Sequence, residues 1–113
     1  MKISFAQTLA KLPLPPTTKW PQGVWDIETF RQNDFSLELF APKNHDYQTP
    51  HSQDEIYVII RGCGTFDLEN EQFDFAPGDV LIVPAGKVHR FSKFSDDLAS
   101  WVIFWGPHQP ITK

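Results

Sequence analysis

From Asp26 onward, apolar and polar residues recur in short runs separated by glycine, proline and polar turn residues. Seven such runs can be read along the chain: FSLELFA, EIYVII, GTFDLE, EQFDFA, DVLIVPA, HRFSKF and LASWVIFW. Side chains of an extended segment alternate between two faces, so each run predicts a strand with one side available to a core. The segments RGCG, ENEQ, APGD and PAGK supply the glycine, proline and acidic residues that strand reversals need. Together these predict an all-β sandwich or barrel. Before Asp26 the pattern differs. Residues 4–12 can form one short helix, with Ser4 as its cap, Gln7 three positions later as in a capping box, and Pro13 as its stop. The stretch PLPPTTKWPQGV, residues 13–24, carries four prolines and predicts an extended arm lying against Trp20 and Trp25. The chain of 113 residues is thus expected to be one domain, a helix and proline-rich arm over residues 1–25 packed on a barrel over residues 26–113.

Strand parity turns this outline toward chemistry. In TPHSQDEIYVIIRG, residues 49–62, His51, Gln53, Glu55, Tyr57 and Ile59 share one face, and Ile56, Val58 and Ile60 form an apolar stripe on the other. Both faces can be buried, as in one layer of a two-sheet fold. A carboxylate turned into such a fold is costly unless a cation or strong donors compensate it. The second stretch, PGDVLIVPAGKVHRF, residues 77–91, runs from a Pro77-Gly78 turn through a strand to a Pro84-Ala85-Gly86 turn, after which His89 opens the next strand. In the last run Ala99, Trp101, Ile103 and Trp105 share a face, which is read as the one packed into the core.

The spacing His51, three residues, Glu55, six residues, Gly62, followed by Gly78, five residues, Pro84, Gly86 and His89, resembles the two signature motifs of the cupin superfamily. The resemblance implies a double-stranded β-helix, a small jelly-roll barrel with a pocket at one end. It also implies one divalent transition metal (Fe, Mn, Ni, Zn or Cu), with His51, Glu55 and His89 on three of the family's four ligand places. The family's first histidine falls where this chain has Thr49, a poor ligand, so the fourth place is left to Gln48, His45 or Thr49. Two imidazoles and a carboxylate match non-haem iron sites and some catalytic zinc sites, which leave positions open. Gln53, Tyr57 and Phe91 lie two residues from proposed ligands on their own strands and are expected to line the pocket. His108 is expected in a solvated loop.

The functional expectation is a small molecule held at the metal, and transformed there if the protein is an enzyme, by dioxygenase- or isomerase-type chemistry with Glu55 as candidate base. The alternative is a non-catalytic binding or sensor module. Ten Lys and Arg against fourteen Asp and Glu give a net charge of −4, which offers no basic patch for nucleic acid or an anionic membrane. With no apolar run of bilayer length, no signal-peptide core and Cys63 as the only cysteine, a cytoplasmic protein is expected. Cys63 lies between two glycines and is read as a small turn residue. A homodimer is expected too, with the proline-rich arm and the aromatic final strand covering a neighbour's sheet edge.

Overall fold

The alternation in EIYVII builds β3 (Asp54–Arg61), on which Glu55, Tyr57 and Ile59 are buried while their neighbours are half-buried. Seven other strands accompany it among the described residues, 1–46 and 48–109 of this computed structural model. They are β1 (Asp26–Gln32), β2 (Phe35–Phe40), β4 (Gly64–Leu68), β5 (Glu71–Phe75), β6 (Val80–Val83), β7 (His89–Phe94) and β8 (Ala99–Trp105). One sheet has the order β1-β2-β8-β3-β6 and the other β5-β4-β7, with antiparallel pairing throughout. The two sheets face each other across an aromatic core. Phe66 and Phe91 of the small sheet meet Tyr57 of the large one, with ring centroids 5.6 and 5.0 Å from it.

Pairing register decides which face of β8 is inward. Tyr57 stands opposite Val102, and Glu55 opposite Phe104. Directly opposed residues share a face, so Val102 and Phe104 enter the core, at 3% and 8% exposure. Trp101, Ile103 and Trp105 are therefore on the outer face and half-buried, contrary to the expectation from their bulk. Phe5 of the helix packs edge-on against Trp101 at 6.3 Å, which covers part of that face. The helix itself, α1 (Phe5–Leu9), is shorter than expected, although Ser4 caps it through the Gln7 amide as the sequence implies. It ends because Lys11 and Leu12 bond back to Thr8 and Leu9, tightening the last turn. Residues 13–24 are not a simple extended arm. Leu14 and Val24 exchange both backbone hydrogen bonds, and a turn from Thr17 to Trp20 closes the loop between them.

Glycine is required where the chain changes sheets. The segment after β3 crosses to β4 while the segment after β7 crosses back to β8, and the two pass in contact. A Cβ on Gly62 would lie 2.6 Å from the Leu98 Cα, and one on Gly64 would lie 2.0 Å from the Lys93 carbonyl oxygen. Cys63, between them, is exposed, and its backbone pairs with Ser95. β8 lies inside the large sheet between β2 and β3, so it has no free edge to offer a neighbouring molecule.

Candidate metal centre

Two hydrogen bonds tie the two sequence motifs together. The Gly86 amide donates to the His51 carbonyl at 2.8 Å, and the Ala85 amide donates to Asp54 Oδ1 at 2.9 Å. The turn before β7 is thereby fixed to the start of β3, and His89 arrives facing Glu55. His51, Glu55 and His89 each offer a ligand atom, and these atoms lie within 4.8 Å of one another. His89 Nε2 is 3.1 Å from Glu55 Oε1, and His51 Nε2 is 3.9 Å from it. The Nδ1 of His89 stands 2.9 Å from the Lys87 carbonyl and must donate to it, which leaves Nε2 with its lone pair toward the carboxylate in the neutral ring. Both Glu55 oxygens and His89 Nε2 are buried and have no hydrogen-bond partner among the described residues. Acceptors that face one another in this way are uncompensated. A cation would satisfy all of them, so the residues fit a metal ion.

Titration follows the same electrostatics. Burial alone would lower the His89 pKa, but the Glu55 carboxylate beside it raises it overall. His51, farther from that carboxylate, is lowered by burial. Its ring is held edge-on by Phe104 at 4.8 Å.

Gln48 stands next to this group with its amide oriented. Its Nε2 donates to Asp46 Oδ2 and its backbone amide to Asp46 Oδ1, at 3.1 and 3.0 Å. Tyr57 Oη donates to Gln48 Oε1 at 2.8 Å, and the same oxygen is 3.4 Å from His51 Nε2. Asp46 is itself buried and also accepts the Phe91 amide, which links this loop to β7. Thr49 lines the same cavity, where its Oγ1 accepts from Lys19 Nζ at 3.4 Å. His45 is exposed and lies outside the ligand group.

The cavity has a volume of about 300 Å³, and His51 and Glu55 open onto it. Of the residues expected to line it, Tyr57 and Phe91 are 0% and 1% exposed and belong to the core beneath. Parity does turn them inward, but the stacked aromatic rings fill that depth. Gln53 is held on the other side of His51, its Nε2 donating to the Asp34 and Gly106 carbonyls. His108 pairs with Ser52 there and is exposed, as expected.

Sequence reading missed the opposite wall, which carries Asp26 and Glu38. Burial and the neighbouring carboxylates of Asp26, Glu28 and Glu55 push the Glu38 carboxyl up to about 7. Parity could have found it, because Glu38 shares a strand face with Ser36 and Phe40, both buried. For Asp46, in an irregular loop, the sequence carries no comparable signal.

Residues 36–105 match the sequence profile described as Cupin domain. The chain belongs to the cupin family. An uncharacterized protein of Streptomyces coelicolor is 35% identical over 83 residues, covering 72% of this chain and 79% of that protein. Acireductone dioxygenase of Leishmania major is 31% identical over 75 residues, which covers 60% of this chain but 22% of that enzyme. The crystal structure of a cupin-2 domain protein from Shewanella frigidimarina superposes with a TM-score of 0.66 at 14% identity, covering 89% of this chain and 91% of that one. That likeness is one of fold.

Proposed function

We propose that the protein holds one divalent transition metal through His51, Glu55 and His89, with Gln48 Oε1 as the fourth protein donor, and acts there on a small molecule by dioxygenase-type chemistry. The observation that carries the site is the set of buried acceptors on Glu55 and His89 that have no hydrogen-bond partner among the described residues. The stretch of similarity to acireductone dioxygenase supports the reaction class. Fe, Mn, Ni, Zn and Cu suit this donor set better than Mg or Ca, and when bound such an ion supplies Lewis-acid or dioxygen-binding chemistry.

The chain's own residues divide the remaining work. The Lys87 carbonyl fixes the His89 tautomer, while Asp46 and Tyr57 hold the Gln48 amide with its oxygen toward His51. Thr49, in place of an imidazole, leaves that side of the cavity open to a ligand. The net charge of −4 and the single cysteine support a cytoplasmic protein without nucleic-acid or membrane partners, and we take it as a homodimer. Among the described residues no helix is long and apolar enough to cross a membrane.

Elemental analysis tests this first. Protein purified without chelator is expected to carry about one equivalent of one of these metals, and His51→Ala, Glu55→Ala or His89→Ala to lower it, while His108→Ala does not. Metal-free protein whose melting temperature ignores added metal would refute the assignment. Oxygen uptake with an acireductone then tests the reaction class: consumption by protein loaded with iron or nickel supports it, and none counts against it.

A further inference from the structure

The first two strands supply a second wall to the cavity beside the candidate metal centre. Glu38 of β2 stands opposite Val102 of β8, and Val102 opposite Tyr57 of β3. Val102 and Tyr57 face the interior, so the same register turns Glu38 inward, and its side chain reaches the cavity onto which His51 and Glu55 open. The other charged groups nearby have counterparts. Arg31 forks onto Glu28 and its charge also acts on Glu38, and Lys19 stands in the cavity where its charge acts on Asp26. Glu55 faces His89. Glu38 makes no hydrogen bond or ion pair among the described residues. A half-buried carboxylate without a partner is costly, and a bound molecule that brings a donor removes that cost.

Resting on the metal site proposed above, we propose that Glu38 contacts the far end of the substrate and accepts a hydrogen bond from its hydroxyl group. The residue thereby selects neutral, hydroxyl-bearing molecules over those with a carboxylate or phosphate at that end. A hydroxyl supplies the donor that Glu38 lacks. Above about pH 7, where Glu38 is ionised, an anion placed there would face Glu38 and Asp26 in a confined space and would be disfavoured by like charge. Lys19 does not reverse this balance, because its ammonium lies on the Thr49 side of the cavity. Burial and acidic neighbours raise the Glu38 carboxyl, so its ionised form is costly in this wall without a donor.

Two hydroxamates with the same metal-binding head, one ending in a hydroxyl and the other in a carboxylate, test the assignment by calorimetric titration into nickel-loaded protein at about pH 8.5, where Glu38 is ionised. The shared head cancels the intrinsic affinity for the metal. The wild type is expected to bind the hydroxyl-ended probe about tenfold tighter, and Glu38→Gln to bring the two within about threefold at unchanged nickel content. Glu38→Leu should do the same, and the wild-type ratio needs no variant at all. Equal binding of both probes by the wild type, or a preference that survives both substitutions, would overturn this inference alone. Protein that takes up no nickel would overturn the metal reading and this inference with it.

Discussion

At Glu38, burial and acidic neighbours hold a proton that the unfolded chain would release. Asp26 and Glu28 face it from β1 and Glu55 from β3, while Arg31 acts in the opposite sense. The folded state therefore binds more protons than the unfolded state between the ordinary value of 4.5 and about 7, so stability falls as pH rises through that window. Replacing Glu38 by Gln should make metal-free protein more stable above the window by about 2 kcal/mol, after allowing for partial exposure, and leave it little changed below the window. Urea unfolding across the window measures this, and a constant difference at all pH values would contradict it. His51 and Glu55 were legible in the sequence because strand parity puts them on one face, and His89 joined them through the resemblance of the two motifs to those of the cupin family. Glu38 was readable by the same parity but lay outside the motifs. Asp46 was not readable, since its role depends on a loop meeting the β7 backbone from 45 positions away.

Elements were legible to the degree that alternation survives in them. Each of the seven runs named from the sequence became a strand, and β1 was missed because DIETFRQ mixes charge into both faces of a sheet edge. The inward face of β8 was misread because large aromatics occupy one parity, whereas pairing with β3 places the other parity inside. Turn glycines look alike in sequence but differ in what surrounds them. Gly64 abuts the Lys93 carbonyl and the Phe94 backbone, while a Cβ on Gly86 meets nothing within 4 Å. Gly64→Ala is thus expected to cost about 3 kcal/mol or more, or to prevent folding, because backbone atoms would have to move. Gly86→Ala should cost about 1 kcal/mol, the penalty for its positive φ of 80°. Thermal unfolding of the two variants compares them, and equal losses would mean that the crossover is not close-packed.

For the whole molecule, the N-terminal segment acts as part of the barrel wall. Phe5 packs on Trp101, Trp20 packs against the core, and Lys19 and Trp20 line the cavity. Deleting residues 1–24 should therefore lower the melting temperature by several degrees at least, as loss of about 1 kcal/mol or more implies for a domain of this size. Light scattering should give the same number of subunits before and after deletion. A shift to a smaller assembly at unchanged stability would instead place the segment on a partner molecule.

The two imidazoles and the carboxylate proposed as ligands are unequally sheltered. The His51 side chain is 32% exposed, whereas those of Glu55 and His89 are 1% and 0% exposed. An ion bound among them would have its doorway at His51, and the imbalance between rim and interior would set its traffic. The sheltered pair would govern how strongly the ion is retained, and rotation of one rim imidazole would govern how fast it is exchanged. Because that doorway needs no unfolding, the occupant should equilibrate with its surroundings. The ion found in the protein would then reflect cellular supply weighted by the general order of ligand affinity, and protein from different growth media would carry different metals.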